Sequence, residues 1–254
     1  MVAAAGSAGC GSVEEAPAPP FSALRLELQQ SGTDVLLQAV SAVSDSVAWI
    51  SGHGGTWART VDGGRTWETR VMPGADSLQF RDVHALDAER AWLLSSGPGD
   101  RSRVYRTVDG GETWELQFLN PEPDGFYDCL EFREAGNGWL YGDAVDGELR
   151  ILRTRDGGRR WELLRGESVP EALPGEGGFA ASGTCLELGQ GGRVWIGTGA
   201  ASTARVLFSD DDGSTWTAFS TPLPGGEAAG IFSVAFRDSL HGAILGGDLA
   251  RPDA

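Results

Sequence analysis

The sequence predicts an all-β chain of four-stranded units set around an axis, a β-propeller, and three observations predict it. A ten-residue phrase recurs: RTVDGGRTWE at 59–68, RTVDGGETWE at 106–115, RTRDGGRRWE at 153–162 and, more loosely, FSDDDGSTWT at 208–217. Its tryptophans, Trp67, Trp114, Trp161 and Trp216, are spaced by 47, 47 and 55 residues. A second series, Trp49, Trp92, Trp139 and Trp195, precedes them, with Ala243 at a fifth such position. A period of about 40–50 residues carrying four short strands is that of a propeller blade.

Each element follows from pattern. LLQAVSAV, FRDVHAL, YDCLEF, SGTCLEL and FSVAF alternate apolar and polar residues and predict the first strand of each blade. The Trp-Gly stretches VAWISG, AWLLSSG, GWLYGD and VWIGTG predict the second strand, and the segments entering and leaving the phrase predict the third and fourth. β-branched and aromatic residues punctuated by Gly, Asp and Pro favour strands over helices. The propeller is expected over 21–254, with blades at 36–72, 80–119, 127–165 and 178–221 and a partial blade at 231–254. The fifth unit stops after two strands, at GGDLARPDA, and FSALRLELQQ (21–30) reads as a spare strand of the kind that completes a last blade. About four and a half blades would leave strand edges open, so the sequence predicts a fragment of a six- to eight-bladed ring.

Charge narrows the function. The 254 residues include 36 Asp and Glu against 20 basic residues, all Arg, for a net charge of −16. Such a surface repels phosphate backbones and excludes nucleic acid, while a basic partner surface stays open. No run of 18 apolar residues predicts a transmembrane helix. Three cysteines without zinc-like spacing give no disulfide scaffold, no metal site and no cofactor. In residues 1–20, SAGC followed by Gly-Ser resembles the end of a bacterial lipoprotein signal, with Cys10 the lipidated residue and 11–20 a flexible tether. The resemblance implies an extracytoplasmic protein, periplasmic or on the outer membrane; Ser7 departs from it, standing where Leu is usual.

Thr60-x-Asp62-x-Gly64-x-Thr66-Trp67 resembles the Asp-box of sialidase-like propellers. The units at Thr107–Trp114 and Ser209–Trp216 match it fully, and that at Thr154–Trp161 has Arg160 in place of Thr. Physically the phrase is a turn: the Asp accepts backbone N–H bonds, Gly supplies positive φ and Trp fills the gap between blades. Asp62, Asp109, Asp156 and Asp211, with Trp67, Trp114, Trp161 and Trp216, are therefore expected to be structural. In the family the box joins the third and fourth strands, on the face opposite the ligand site. The combination GWxxG with RTxDGGxTWE is similar to the photosystem II assembly and stability factor family and its bacterial relatives. That likeness implies a non-catalytic scaffold binding a protein partner.

The alternative is a sialidase-like glycoside hydrolase acting on glycans. It would need an Arg triad, a Tyr nucleophile and a Phe-Arg-Ile-Pro motif; Phe80-Arg81-Asp82 and Phe236-Arg237-Asp238 are the nearest echoes. Of the three tyrosines, Tyr105 falls at a core position, while Tyr127 and Tyr141 stay open. Ser182 has no adjacent base. No catalytic residue is assigned.

Candidate binding residues come from register. Counting back ten and eight residues from each second-strand Trp gives Ala39/Ser41, Asp82/His84, Cys129/Glu131 and Cys185/Glu187, then Ser233/Ala235 through Ala243. Asp82, His84, Glu131 and Glu187 are expected along a channel, as solvated lining or as a site for a cation or polar ligand. Cys129 and Cys185 are expected to be two buried thiols, their strands too far apart for a disulfide. Arg59, Arg106 and Arg153 recur once per blade, as a stripe for an acidic partner or as partners of local acids. The longest insertion, PEALPGEGGFAASGT at 170–184, brings 179–184 towards the channel mouth.

Overall fold

A computed structural model of the chain describes residues 26–181 and 183–251. The signal-like segment, Cys10 and Ser182 lie outside the described residues. Among the described residues eighteen strands form four sheets of four and one of two, each antiparallel and in sequence order. The first sheet is β1 (Leu37–Ala42), β2 (Ala48–Gly52), β3 (Thr56–Thr60) and β4 (Glu68–Val71). The second is β5 (Phe80–Ala85), β6 (Ala91–Ser95), β7 (Arg103–Thr107) and β8 (Glu115–Leu119). The third is β9 (Tyr127–Phe132), β10 (Gly138–Val145), β11 (Glu148–Thr154) and β12 (Glu162–Leu163). The fourth is β13 (Leu186–Leu188), β14 (Val194–Gly197), β15 (Arg205–Ser209) and β16 (Thr217–Ser220), and β17 (Ala229–Phe236) pairs with β18 (Gly242–Asp248). First strands contact one another in series, β1 with β5, β5 with β9, β9 with β13 and β13 with β17. This is a partial β-propeller of four-stranded blades.

The recurring phrase forms the turn between third and fourth strands by one repeated bond set. Thr60 Oγ1 donates to Asp62 Oδ1 and accepts from Gly64 N, both at 2.9 Å. Asp62 then accepts from Thr66 N at 2.9 Å and Thr66 Oγ1 at 2.7 Å. Asp109 with Thr113, and Asp211 with Thr215, repeat the arrangement. The Thr hydroxyl above all, then the Thr N–H, holds Asp62, Asp109 and Asp211 down to about 2. Asp156 lacks the hydroxyl bond because Arg160 replaces Thr, and its carboxyl is lowered chiefly by the Arg160 N–H.

Tryptophans fill the gaps between blades. Trp49, Trp92 and Trp139 are fully buried, and burying about 200 Å² of indole at about 25 cal/mol/Å² contributes about 5 kcal/mol each before ordering entropy. Trp92 stacks on Phe132 of the next blade at 3.9 Å, and Trp195 on Phe236 at 3.8 Å. The turn tryptophan Trp114 reaches back to Trp57 of the preceding blade, centroids 5.5 Å apart.

Of the segment read as a spare strand, 21–25 lies outside the described residues. Residues 26–30 form no strand; Gln29 instead accepts from the Trp67 indole at 3.0 Å and donates to Gly63 O at 3.4 Å, beside the first turn. Side-chain capture of the turn replaces backbone pairing. The fourth blade also starts later than expected, at Leu186, because 171–181 becomes a strap across the end of the axis.

Two glycines separate strain from packing. Gly111 has φ +90° and an added Cβ would lie 2.2 Å from the Trp57 ring, whereas Gly147, at φ +78° in the β10–β11 hairpin, faces open space. Gly147→Ala is expected to cost about 1 kcal/mol from left-handed strain alone. Gly111→Ala should cost about 3 kcal/mol or more through added overpacking. Denaturant unfolding checks this; equal losses would contradict the turn–tryptophan packing.

Candidate functional site: the axial cavity and its mouth

The first strands bring Asp82, His84, Glu131 and Glu187 together around one cavity of about 240 Å³, with Ser41 and Ser233 also on its wall. The convergence follows from equivalent register: Ser41, His84, Glu131 and Glu187 each sit opposite the second-strand Trp of their own blade.

Asp82 is buried, while His84, Glu131 and Glu187 are partly buried on the cavity wall. All but Glu187 reach the backbone of the next first strand, as does Ser41. Ser41 Oγ accepts from Ala85 N at 3.0 Å and Asp82 Oδ2 from Leu130 N at 2.6 Å. The His84 ring bonds the Phe132 backbone, and the Glu131 carboxyl accepts from Leu188 N. Between the third and fourth blades the link is covalent: Cys129 and Cys185 form a disulfide, their Cα atoms 5.9 Å apart. The expectation of two buried thiols is thereby corrected. First strands near the axis come within disulfide reach, closer than outer strands of neighbouring blades.

Burial governs the charge of the cluster. It pushes Asp82 well above the usual carboxylate range, and Glu131 likewise, with the Glu187 and Asp82 charges adding to the rise. Burial also raises Glu187 and lowers His84 to about 4. Asp82 and Glu131 thus hold their protons above the ordinary carboxylate range, and His84 is uncharged at neutral pH. Among the described residues no group of three or more His, Cys, Asp or Glu is placed to hold a metal ion.

Above the cavity four of the five first strands carry a bulge, β13 being the exception. Register shifts at Leu37/Ala39, Phe80/Asp82 and Ile231/Ser233 leave Gln38, Arg81 and Phe232 as the extra residues, and the shift in β9 falls at Asp128. Bulges re-aim a side chain out of strict alternation, here towards the strap. Phe179 packs edge-on to Phe232 at 4.8 Å, and Ala180 O accepts from Arg81 Nη1 at 3.4 Å. Gly178 N donates to Asp143 Oδ1 at 3.1 Å. The strap is anchored by buried Glu176, which accepts from Thr198 Oγ1 at 2.7 Å and pairs with Arg205.

Asp128 and Asp143 beneath the strap hydrogen-bond each other, and burial raises both, Asp128 the more strongly. Sequence reasoning missed this pair, together with Glu176. Strict alternation places Asp128 on the face away from Cys129, and only the bulge returns it to the mouth; the Asp ending GWLYGD was the one available signal. Tyr141 is buried beside Glu176, Asp128 and Asp143, its hydroxyl without a partner and driven far above its usual range by burial. Tyr127 is buried and raised likewise, and Tyr105 packs on Phe80 at 5.9 Å. None is poised as a nucleophile.

The recurring arginines serve the seams. Arg59 lies over the Trp49 ring, donates to Ala88 O of the next blade at 2.7 Å and pairs with Glu68 at 2.8 Å. Arg153 donates to Asp212 O of the next blade at 2.9 Å and pairs with Glu162 at 3.3 Å. Arg106 lies over Trp92, near Arg159 and Arg90. Arg59 and Arg153 thus pair with local acids rather than forming an open stripe.

No family model matches the sequence, and no curated protein matches it. Among solved structures the chain is similar to YCF48 bound to D1 peptide, at 18% identity over 86% of this chain and 91% of that one, TM-score 0.45. It is similar to the GH74 xyloglucanase from Xanthomonas campestris at 16% identity, over 82% of this chain and 38% of that one, TM-score 0.56. The GH74 enzyme from Niastella koreensis gives 13% identity over 71% of this chain and 24% of that one, TM-score 0.51. The chain therefore spans well under half of either GH74 enzyme. The likeness to the two GH74 enzymes is one of fold, and it agrees with the β-propeller read from the sequence.

The axial disulfide closes a loop with a sequence separation of 56, for which chain entropy gives about 4 kcal/mol. Thermal unfolding with and without reductant is expected to show a loss of that order. Unchanged melting, with both thiols free in the oxidised sample, would contradict the link.

Proposed function

We propose that this chain is a non-catalytic propeller scaffold, part of an exported and membrane-tethered protein, and that it binds a protein partner on the face carrying the strap. The observation supporting this most is the state of the axial carboxyls: Asp82 is buried and Glu131 partly so, both are bonded to the next blade, and the mouth is crossed by 176–181. A glycosidase needs two carboxyls about 5–5.5 Å or 6.5–9.5 Å apart, with substrate between them. Asp128 and Asp143 instead bond each other under the strap.

The repeated turns, taken as Asp-boxes, sit at the opposite ends of the strands, and the GWxxG and RTxDGGxTWE phrases support the scaffold reading through their likeness to assembly factors. Export draws support from the disulfide, which belongs to oxidising compartments, and from the lipoprotein-like SAGC ending at Cys10.

A second reading, hydrolysis of glycans, is favoured by the fold shared with GH74 enzymes and by the Asp128–Asp143 pair. Incubation with xyloglucan and with a fluorogenic sialoside is expected to release no sugar. Release that disappears in Asp143→Asn would establish the hydrolase instead.

A further inference from the structure

We propose that a cleft beside the axial mouth, between the second blade and the start of the third, binds the oxyanion of a small ligand: a carboxylate, sulfate or phosphate group. The cleft has a volume of about 190 Å³ and is lined by Gln79, Arg81, Ser96, Arg101 and Phe126, with Leu78 on its apolar side. All belong to strand ends and loops remote from the repeated turns, on the face carrying the strap.

Charge sets the cleft apart. In a chain of 36 acids and 20 arginines, its wall holds two arginines and no carboxylate. Arg59, Arg150 and Arg205 are each neutralised by a glutamate; Arg81 and Arg101 are not. Arg81, the bulge residue of β5, is oriented by neutral acceptors only. Its Nε and Nη2 donate to Gln79 Oε1 at 3.0 and 2.6 Å, and Nη1 to Ala180 O at 3.4 Å. These bonds fix the guanidinium and leave its charge uncompensated.

Arg101 is exposed and its side chain has no partner among the described residues. Ser96, only 6% exposed, has an Oγ without a hydrogen-bond partner. A buried hydroxyl that bonds nothing in the protein is a donor awaiting an acceptor. Two guanidiniums and a hydroxyl form the donor set that an oxyanion satisfies, since arginine presents several N–H groups to one anion. A water occupies about 30 Å³ of liquid, so the cleft admits an oxyanion bearing a few carbon atoms against Phe126 and Leu78. The site does not depend on whether the chain turns over sugar.

Amide NMR titration of the whole chain tests it, with sodium sulfate in one arm and sodium butyrate in another, each at constant ionic strength set by chloride. At least one arm is expected to saturate in the millimolar range, shifting the amides of Ser96, Gly97 and Arg101; which arm saturates tells a tetrahedral anion from a carboxylate. Arg101→Ala should weaken that binding about tenfold, and Ser96→Ala should weaken it less. Shifts that do not saturate in either arm, or that persist unchanged in Arg101→Ala, would overturn the proposal.

Discussion

The fold depends on one constraint: each first strand must be held to the next where the blades crowd together at the axis. Outer strands spread apart and can be filled with tryptophan, but near the axis polar side chains reach directly to a neighbouring backbone. Ser41 to Ala85, Asp82 to Leu130, His84 to Phe132, Glu131 to Leu188 and the Cys129–Cys185 bond are successive solutions to the same problem. Polar residues pointing at an axis need not form a ligand site; here they close seams. A buried backbone N–H left unpaired costs about 1–3 kcal/mol, which is reason enough for a polar side chain at each position.

The axial acids and the turn carboxyls of the rim respond to pH in opposite senses. The turn carboxyls Asp62, Asp109 and Asp211, held near 2, contribute stability that is present above the ordinary carboxylate value of 3.8 and is lost as pH falls towards 2. Asp82 and Glu131 keep their protons in the folded chain while the unfolded chain gives them up. Their linkage therefore reduces stability as pH rises through the ordinary carboxylate range. His84, lowered to about 4, favours the folded chain above 6.5 and loses that contribution as pH falls from 6.5 to about 4.

What the sequence disclosed and what it hid follow from this geometry. Blade spacing and turn identity were legible because Asp62, Gly64 and Trp67 recur at fixed intervals and each has a local physical role. The placement of Asp82, His84, Glu131 and Glu187 around one cavity was legible too, since their register is shared across blades. Their burial was not, because alternation records which face a residue occupies and not how closely the next strand approaches. The same blindness to distance turned Cys129 and Cys185 into expected thiols. Asp128 and Arg81 stayed hidden because a bulge is one residue that breaks the two-residue period, and nothing in FRD or YDC announces it. The strap resides in an insertion without repeat partners, so no other blade could serve as its template.

The structure thus joins a rigid seam along the axis to a less regular face, where the strap, the bulge residues and the arginine cleft meet. The central claim is that the axial acids are neutral seam elements. Carboxyl-carbon NMR titration of Asp82 and Glu131 tests it most directly. Both are expected to keep their protons through the range in which exposed carboxyls titrate, and to titrate only above it. Titration of either with the exposed carboxyls, in the ordinary range near pH 4, would show a solvated channel and contradict the account.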